Sequence, residues 1–121
     1  MKNQRRVGSQ FEDLAVAYLE ELGLQILDRN VYCKFGELDI VALDYNMICF
    51  IEVKYRKHNG KGNPLDSVTF SKQKTISNCA AYYLMKHPYY QRYQMRFDVI
   101  GILDTKITYL RNAFGYVGAM K

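Results

Sequence analysis

The chain has 121 residues, 49% of them hydrophobic and 24% charged, which is one domain's worth of sequence able to bury a core and excludes disordered and fibrous classes. Seventeen Lys and Arg against twelve Asp and Glu leave a net charge of +5, compatible with a polyanionic partner but selecting none by itself. No apolar run approaches the roughly 18 residues of a membrane span, and the basic start Met1–Arg6 leads into no apolar segment, so a cytoplasmic protein with no membrane partner is expected.

Ser9-Gln10-Phe11-Glu12 matches a Ser-x-x-Glu capping box, and Phe11, Leu14, Ala15, Tyr18, Leu19 and Leu22 follow at helical spacing before Gly23, which predicts a helix over about 10–22. A first strand is expected from Gln25 to about Tyr32, interrupted by the polar Asp28-Arg29-Asn30. Two more follow over about 37–43 and 47–55, joined through Asp44-Tyr45-Asn46. The stretch 56–66, broken by Gly60, Gly62 and Pro64, reads as a loop. A second helix begins near Ser67 or Ser71 and ends before His87-Pro88, with Ile76, Cys79, Ala80, Tyr83 and Leu84 as its apolar stripe. Strands over about 95–103 and 106–111 complete an α/β domain with a mixed sheet flanked by helices, and residues 112–121 read as loosely held. Cys33, Cys49 and Cys79 are odd in number and widely spaced; reduced thiols are expected, with neither a disulfide nor a zinc site.

The second and third strands carry charge where a buried hairpin should be apolar. With a turn centred on Tyr45-Asn46, Asp39 faces Glu52 and Glu37 faces Lys54, and alternation puts Glu37, Asp39, Ile48, Phe50, Glu52 and Lys54 on one face. Leu38, Ile40, Ala42, Cys49, Ile51 and Val53 take the other, core-facing side. Directly opposed Cβ atoms lie about 4.5–5.5 Å apart, where two carboxylates repel. Mg²⁺ or Mn²⁺, which takes hard oxygen ligands, would offset that repulsion through Asp39, Glu52 and the carbonyl of Val53. Lys54 beside them would orient water and neutralise charge on a phosphorus-centred transition state. The plain alternative is a solvated face with an ordinary Glu37–Lys54 ion pair.

Asp39 followed by Glu52-Val53-Lys54 resembles the Asp … (Asp/Glu)-x-Lys signature of restriction-endonuclease-like nucleases. A wider pattern is more specific: Phe11-Glu12-x-x-Ala15, Ile26-Leu27-x-Arg29-Asn30, Gly36-Glu37-Leu38-Asp39-Ile40-Val41-Ala42, Phe50-Ile51-Glu52-Val53-Lys54-Tyr55-Arg56, Ala80-Ala81-Tyr82-Tyr83-Leu84 and Arg96-Phe97-Asp98-Val99-Ile100. Over about residues 6–101 the chain resembles the YraN-like family of bacterial proteins, similar in fold to archaeal Holliday-junction resolvases. That resemblance implies a single nuclease-like domain with a restriction-endonuclease-like helix-strand-strand-strand-helix-strand core. It implies a Mg²⁺-dependent endonuclease acting on DNA, branched or otherwise structured, with Asp39 and Glu52 as metal ligands and Lys54 as the catalytic lysine. It adds Glu12 as a fourth acid, although Glu12 is also the Glu of the capping box. Leu38 stands where the superfamily pattern has proline. Resolvase-like enzymes cut as dimers, so the resemblance also implies a homodimer.

Basic residues after the catalytic strand, Arg56, Lys57 and Lys61, with Lys72 and Lys74 from the second helix, would rim the site and neutralise phosphates. Arg5 and Arg6 form a second basic cluster ahead of Glu12. Gln73, one helical step away, would support a phosphate or water. Among eleven tyrosines, Tyr82, Tyr83, Tyr89, Tyr90 and Tyr93 would either stack on bases or pack the second helix and a dimer contact. Asp98 reads as a satisfied structural acid. The rival to an enzyme is a nucleic-acid-binding module of a repair or recombination complex with weak or no cleavage.

Overall fold

The structure, a computed structural model, describes residues 2–57 and 68–118, with residues 2–8 as backbone alone. Helix α1 (Lys2–Glu21) leads to strands β1 (Gln25–Cys33), β2 (Gly36–Asp44) and β3 (Met47–Arg56). Helix α2 (Phe70–Lys86) and a short 3-10 turn (Pro88–Arg92) then return the chain to β4 (Gln94–Leu103) and β5 (Lys106–Phe114). The strands form one sheet in the order β1-β2-β3-β4-β5. Only β3 and β4 run parallel among these neighbours. A parallel pair needs a crossover, and α2 lies within it. This is the restriction-endonuclease-like order expected from the sequence.

The two helices cover opposite faces. Ala15 and Leu19 of α1 pack on Ile40, Ala42, Cys49, Ile51, Ile100 and Ile102. Ile76, Cys79, Ala80 and Tyr83 of α2 pack on Leu38, Val41, Ile48, Phe50 and Phe97. Strands covered on both sides read as continuous apolar runs, and Ile48 and Phe50, which alternation puts on the face of Glu52, are buried there under α2.

Several boundaries differ from the sequence reading. Helix α1 begins at Lys2, so Ser9 lies inside it and the expected capping box is absent. Thr69, not a serine, caps α2, its side chain accepting from the Lys72 N–H at 3.2 Å. Of the stretch 112–121, residues 119–121 lie outside the described residues. β5 runs to Phe114, Phe114 stacks on Phe97, and the Val117 N–H donates to the Ser77 hydroxyl at 3.0 Å. Cys33 on β1 and Cys79 on α2 are joined as a disulfide, correcting the expectation of reduced thiols, and Cys49 is free and buried. Widely spaced cysteines carry no sequence sign that two elements will be packed against each other. No helix among the described residues is long and apolar enough to cross a membrane.

Candidate metal centre at a fork in the sheet

The β2–β3 ladder starts at Asp44–Met47, around a two-residue turn with Tyr45 at φ +58°, and ends at Ile40–Ile51. Beyond that point β2 stays paired with β1, and β3 with β4. The sheet therefore forks where the charged residues begin. Asp39 and Glu52, expected to face each other across the ladder, lie past its end, as do Glu37 and Lys54. Asp39 instead reaches across the fork, its Oδ2 accepting the Val53 N–H at 2.8 Å. A strand residue's N–H and C=O point to the same edge, so the Val53 carbonyl also faces the fork.

A second irregularity turns the acids toward α1. The β1–β2 register shifts between Ile26 and Asp28, and Asn30, between the pairs Arg29–Ile40 and Val31–Leu38, takes a φ of +53°. Leu38 packs under α2 although Ile40, two residues on, packs under α1. Strict alternation breaks there, so Leu38 does not share a face with Ile40 as expected. Helix α1 supplies Glu12 one turn before the buried Ala15. Phe11 stacks on Tyr55 with centroids 4.1 Å apart, which pins that helix to the end of β3. Glu12, Glu37 and Asp39 then present carboxylate oxygens all within 4.8 Å of one another.

Electrostatics at the fork are unfavourable without a cation. Burial, then the charge of Glu52, pushes the Asp39 carboxyl up to about 8, with Glu12 and Glu37 adding to the rise and the Val53 N–H opposing it. Glu12 is raised by burial, with its Asn30 hydrogen bond opposing, and Glu37 is raised by burial and by Glu52. Crowded carboxylates that resist ionising are the donor set a hard divalent cation would relieve.

Glu52 stands apart from that trio. It is 5% exposed, with Oε2 lying 3.4 Å from Lys54 Nζ and 3.6 Å from Lys72 Nζ. Of the expected metal set, Glu12 and Asp39 come together, joined by Glu37, while Glu52 is held by two ammonium groups. Glu37, assigned as a supporting partner of Lys54, is thus a close neighbour of Asp39. Lys72, assigned to phosphate contact, reaches Glu52. The Gln73 side chain donates to the Val68 carbonyl at 3.2 Å and so serves its own helix start.

Val53, Lys54, Tyr55, Arg56 and Lys57 line an open depression beside the fork. Lys57 and Lys74 are exposed, and the Arg56 guanidinium donates to the Tyr55 carbonyl at 3.4 Å. Lys61 and the side chains of Arg5 and Arg6 lie outside the described residues. Asp98 is fully buried and satisfied by Arg96, Tyr109 and the Asn112 N–H, a structural acid as read from sequence.

Residues 11–102, which include the fork, α2 and the second half of α1, match the model of the Uncharacterised protein family UPF0102. The chain belongs to this family. A UPF0102 protein of Clostridium perfringens is 44% identical over 119 residues, covering 93% of this chain and 97% of that one. UPF0102 proteins of Lachnoclostridium phytofermentans and Pseudomonas putida are each 41% identical, over 97% and 90% of this chain and 99% and 93% of theirs. These UPF0102 relatives match 90–97% of this chain. Glu37 and Lys72 are the neighbours of the site that sequence reasoning underweighted. The run Gly36-Glu37-Leu38-Asp39 offered a signal for Glu37, because two acids two apart in a strand share a face. Nothing comparable marked Lys72.

Proposed function

We propose that this UPF0102 protein is a divalent-metal-dependent phosphodiesterase acting on DNA. The observation that carries this reading is the meeting of Glu12, Glu37 and Asp39 within 4.8 Å at a fork where burial and mutual repulsion hold Asp39 near 8. Mg²⁺ or Mn²⁺ bound by this oxygen set, with the Val53 carbonyl, would supply the positive charge that polarises a phosphate and acidifies water. The chain's own residues then have separable tasks. Asp39 fixes β2 to β3 through Val53 and presents its second oxygen to the fork. Glu12 closes the α1 side. Lys54, oriented by Glu52, presents an ammonium at the depression where a phosphate would lie, and it neutralises charge developing on the phosphoryl oxygens. Lys72 holds Glu52 in place from the α2 side, its Nζ 3.6 Å from Oε2. Lys57 and Lys74 offer exposed charge for flanking phosphates.

One observation favours a second reading, a DNA-binding module with weak cleavage. Glu52 is already compensated by two lysines, so one of the carboxylates expected as a ligand has partners without a metal. Cleavage of linear, flapped and four-way DNA separates the two. The nuclease reading expects Mg²⁺- or Mn²⁺-dependent product on at least one substrate, abolished in Asp39→Asn and Lys54→Ala. Firm binding with no metal-dependent product on any of them selects the module.

A further inference from the structure

At the far end of α2 from the fork, the chain builds an aromatic platform on a segment that itself carries no acids. No Asp or Glu occurs between Asp66 and Asp98, whereas Lys72, Lys74, Lys86, Arg92 and Arg96 do. Asp28 and Asp44, which reach into this stretch from other elements, are engaged by the Tyr83 hydroxyl and by Arg96. The 3-10 turn is held rigidly: His87 Nδ1 donates to the Tyr83 carbonyl at 2.8 Å, and Gln91 Nε2 to the Leu84 carbonyl at 3.0 Å. The His87 ring stacks on Tyr83 at 4.0 Å. Tyr89 then packs edge-on against Tyr90, carries the Arg92 guanidinium 4.2 Å over its ring, and remains 57% exposed. A fixed aromatic ring and a guanidinium plane, both open to solvent in a purely basic stretch, have the chemistry that receives unstacked bases and their phosphates.

We propose that this platform binds an unpaired DNA strand continuing from the duplex engaged at the fork. Charge complementarity selects a polyanion, and the exposed ring selects a strand whose bases are free to stack, which a duplex does not offer. The 17 residues of α2 span about 25 Å, with Lys72 on Glu52 near one end and Tyr89 just past the other. A flap or branch arm is thus long enough to touch both. The proposal rests on the phosphodiesterase reading for its choice of DNA, but its test does not need cleavage.

The test is fluorescence anisotropy with labelled 20-nucleotide single strands of DNA and RNA and a matched DNA duplex, all in EDTA. Wild type is expected to bind the DNA single strand, with Tyr89→Ala and Arg92→Ala each weakening that affinity about tenfold or more and changing duplex affinity much less. Tyr89→Phe, which keeps the ring, restores binding. Melting by circular dichroism shows that the exposed substitutions leave the fold intact. Single-strand affinity equal to wild type in both alanine variants overturns the proposal even if the protein cleaves DNA. A preference for RNA, or loss of self-association in Tyr89→Ala without loss of DNA affinity, overturns it too. Absence of cleavage, with this binding pattern present, overturns the enzyme reading alone.

Discussion

Asp39 is the residue on which the site turns. Its carboxyl sits near 8 in the folded chain against an ordinary value of 3.8. The folded state thus holds this proton more tightly than the unfolded one, and its contribution to stability is full below pH 4 and is lost as pH rises through 8. Glu12 and Glu37 shift in the same direction. In EDTA the protein should therefore melt lower at pH 8.5 than at pH 6. Asp39→Asn keeps an acceptor for the Val53 N–H but removes the charge, so its Tm at pH 8.5 should exceed wild type by a few degrees, since about 1 kcal/mol moves Tm by roughly 4 °C in a domain this size. An Asp39→Asn variant that melts below wild type would show that the carboxylate is satisfied without a cation. Glu12 separates its two sequence roles as cleanly. With Ser9 inside α1, Glu12→Gln should leave helix content unchanged and stability within about 0.5 kcal/mol of wild type while weakening Mn²⁺ binding at least tenfold; circular dichroism and calorimetry read the two effects.

At the scale of elements, the placement of α2 decides which lysine reaches the fork. Gly36, at the start of β2, faces that helix so closely that a Cβ there would lie 2.7 Å from Thr75 Cγ2. Gly36→Ala should destabilise the fold by about 1–3 kcal/mol through overpacking, measured by urea unfolding. Thr75→Ser, which removes the offending methyl, should restore only the part of that loss due to overpacking, because Gly36 has a φ of +156°, a conformation that L side chains rarely adopt. The strands and helices themselves were legible, because alternation and helical spacing report local backbone. Buried Ile76, Cys79, Ala80 and Tyr83 form the stripe expected of α2. What alternation could not report was the positive φ at Asn30, the register shift between Ile26 and Asp28, and the end of the ladder at Ile40–Ile51. Those are properties of two chains meeting, and they moved Leu38 to the other face and put Glu37 beside Asp39. The same blindness applied to Cys33 and Cys79, and to Lys72, whose partner Glu52 lies 20 positions earlier.

Over the whole molecule, the +5 charge is divided between residues that serve the fork and residues left free to meet phosphates. Lys54 and Lys72 belong to the first group through Glu52, and Lys57 and Lys74 to the second. DNA binding should therefore weaken steeply with salt, and replacing both Lys57 and Lys74 by alanine should lower the slope of log affinity against log salt by about 1–2. An unchanged slope would remove them from the interface. Sequence named one candidate site, and the structure brings its Glu12 and Asp39 together with Glu37 while Glu52 contacts Lys54 and Lys72.

Titration of the protein with Mn²⁺ by calorimetry at pH 7, in two buffers of different ionisation enthalpy, tests the central claim most directly. A cation seated among Glu12, Glu37 and Asp39 must displace the proton that Asp39 retains at that pH. The account predicts saturable binding to one site, release of close to one proton per ion, and loss of both in Asp39→Asn. Binding that is equal in wild type and Asp39→Asn, or that releases no proton, would contradict it.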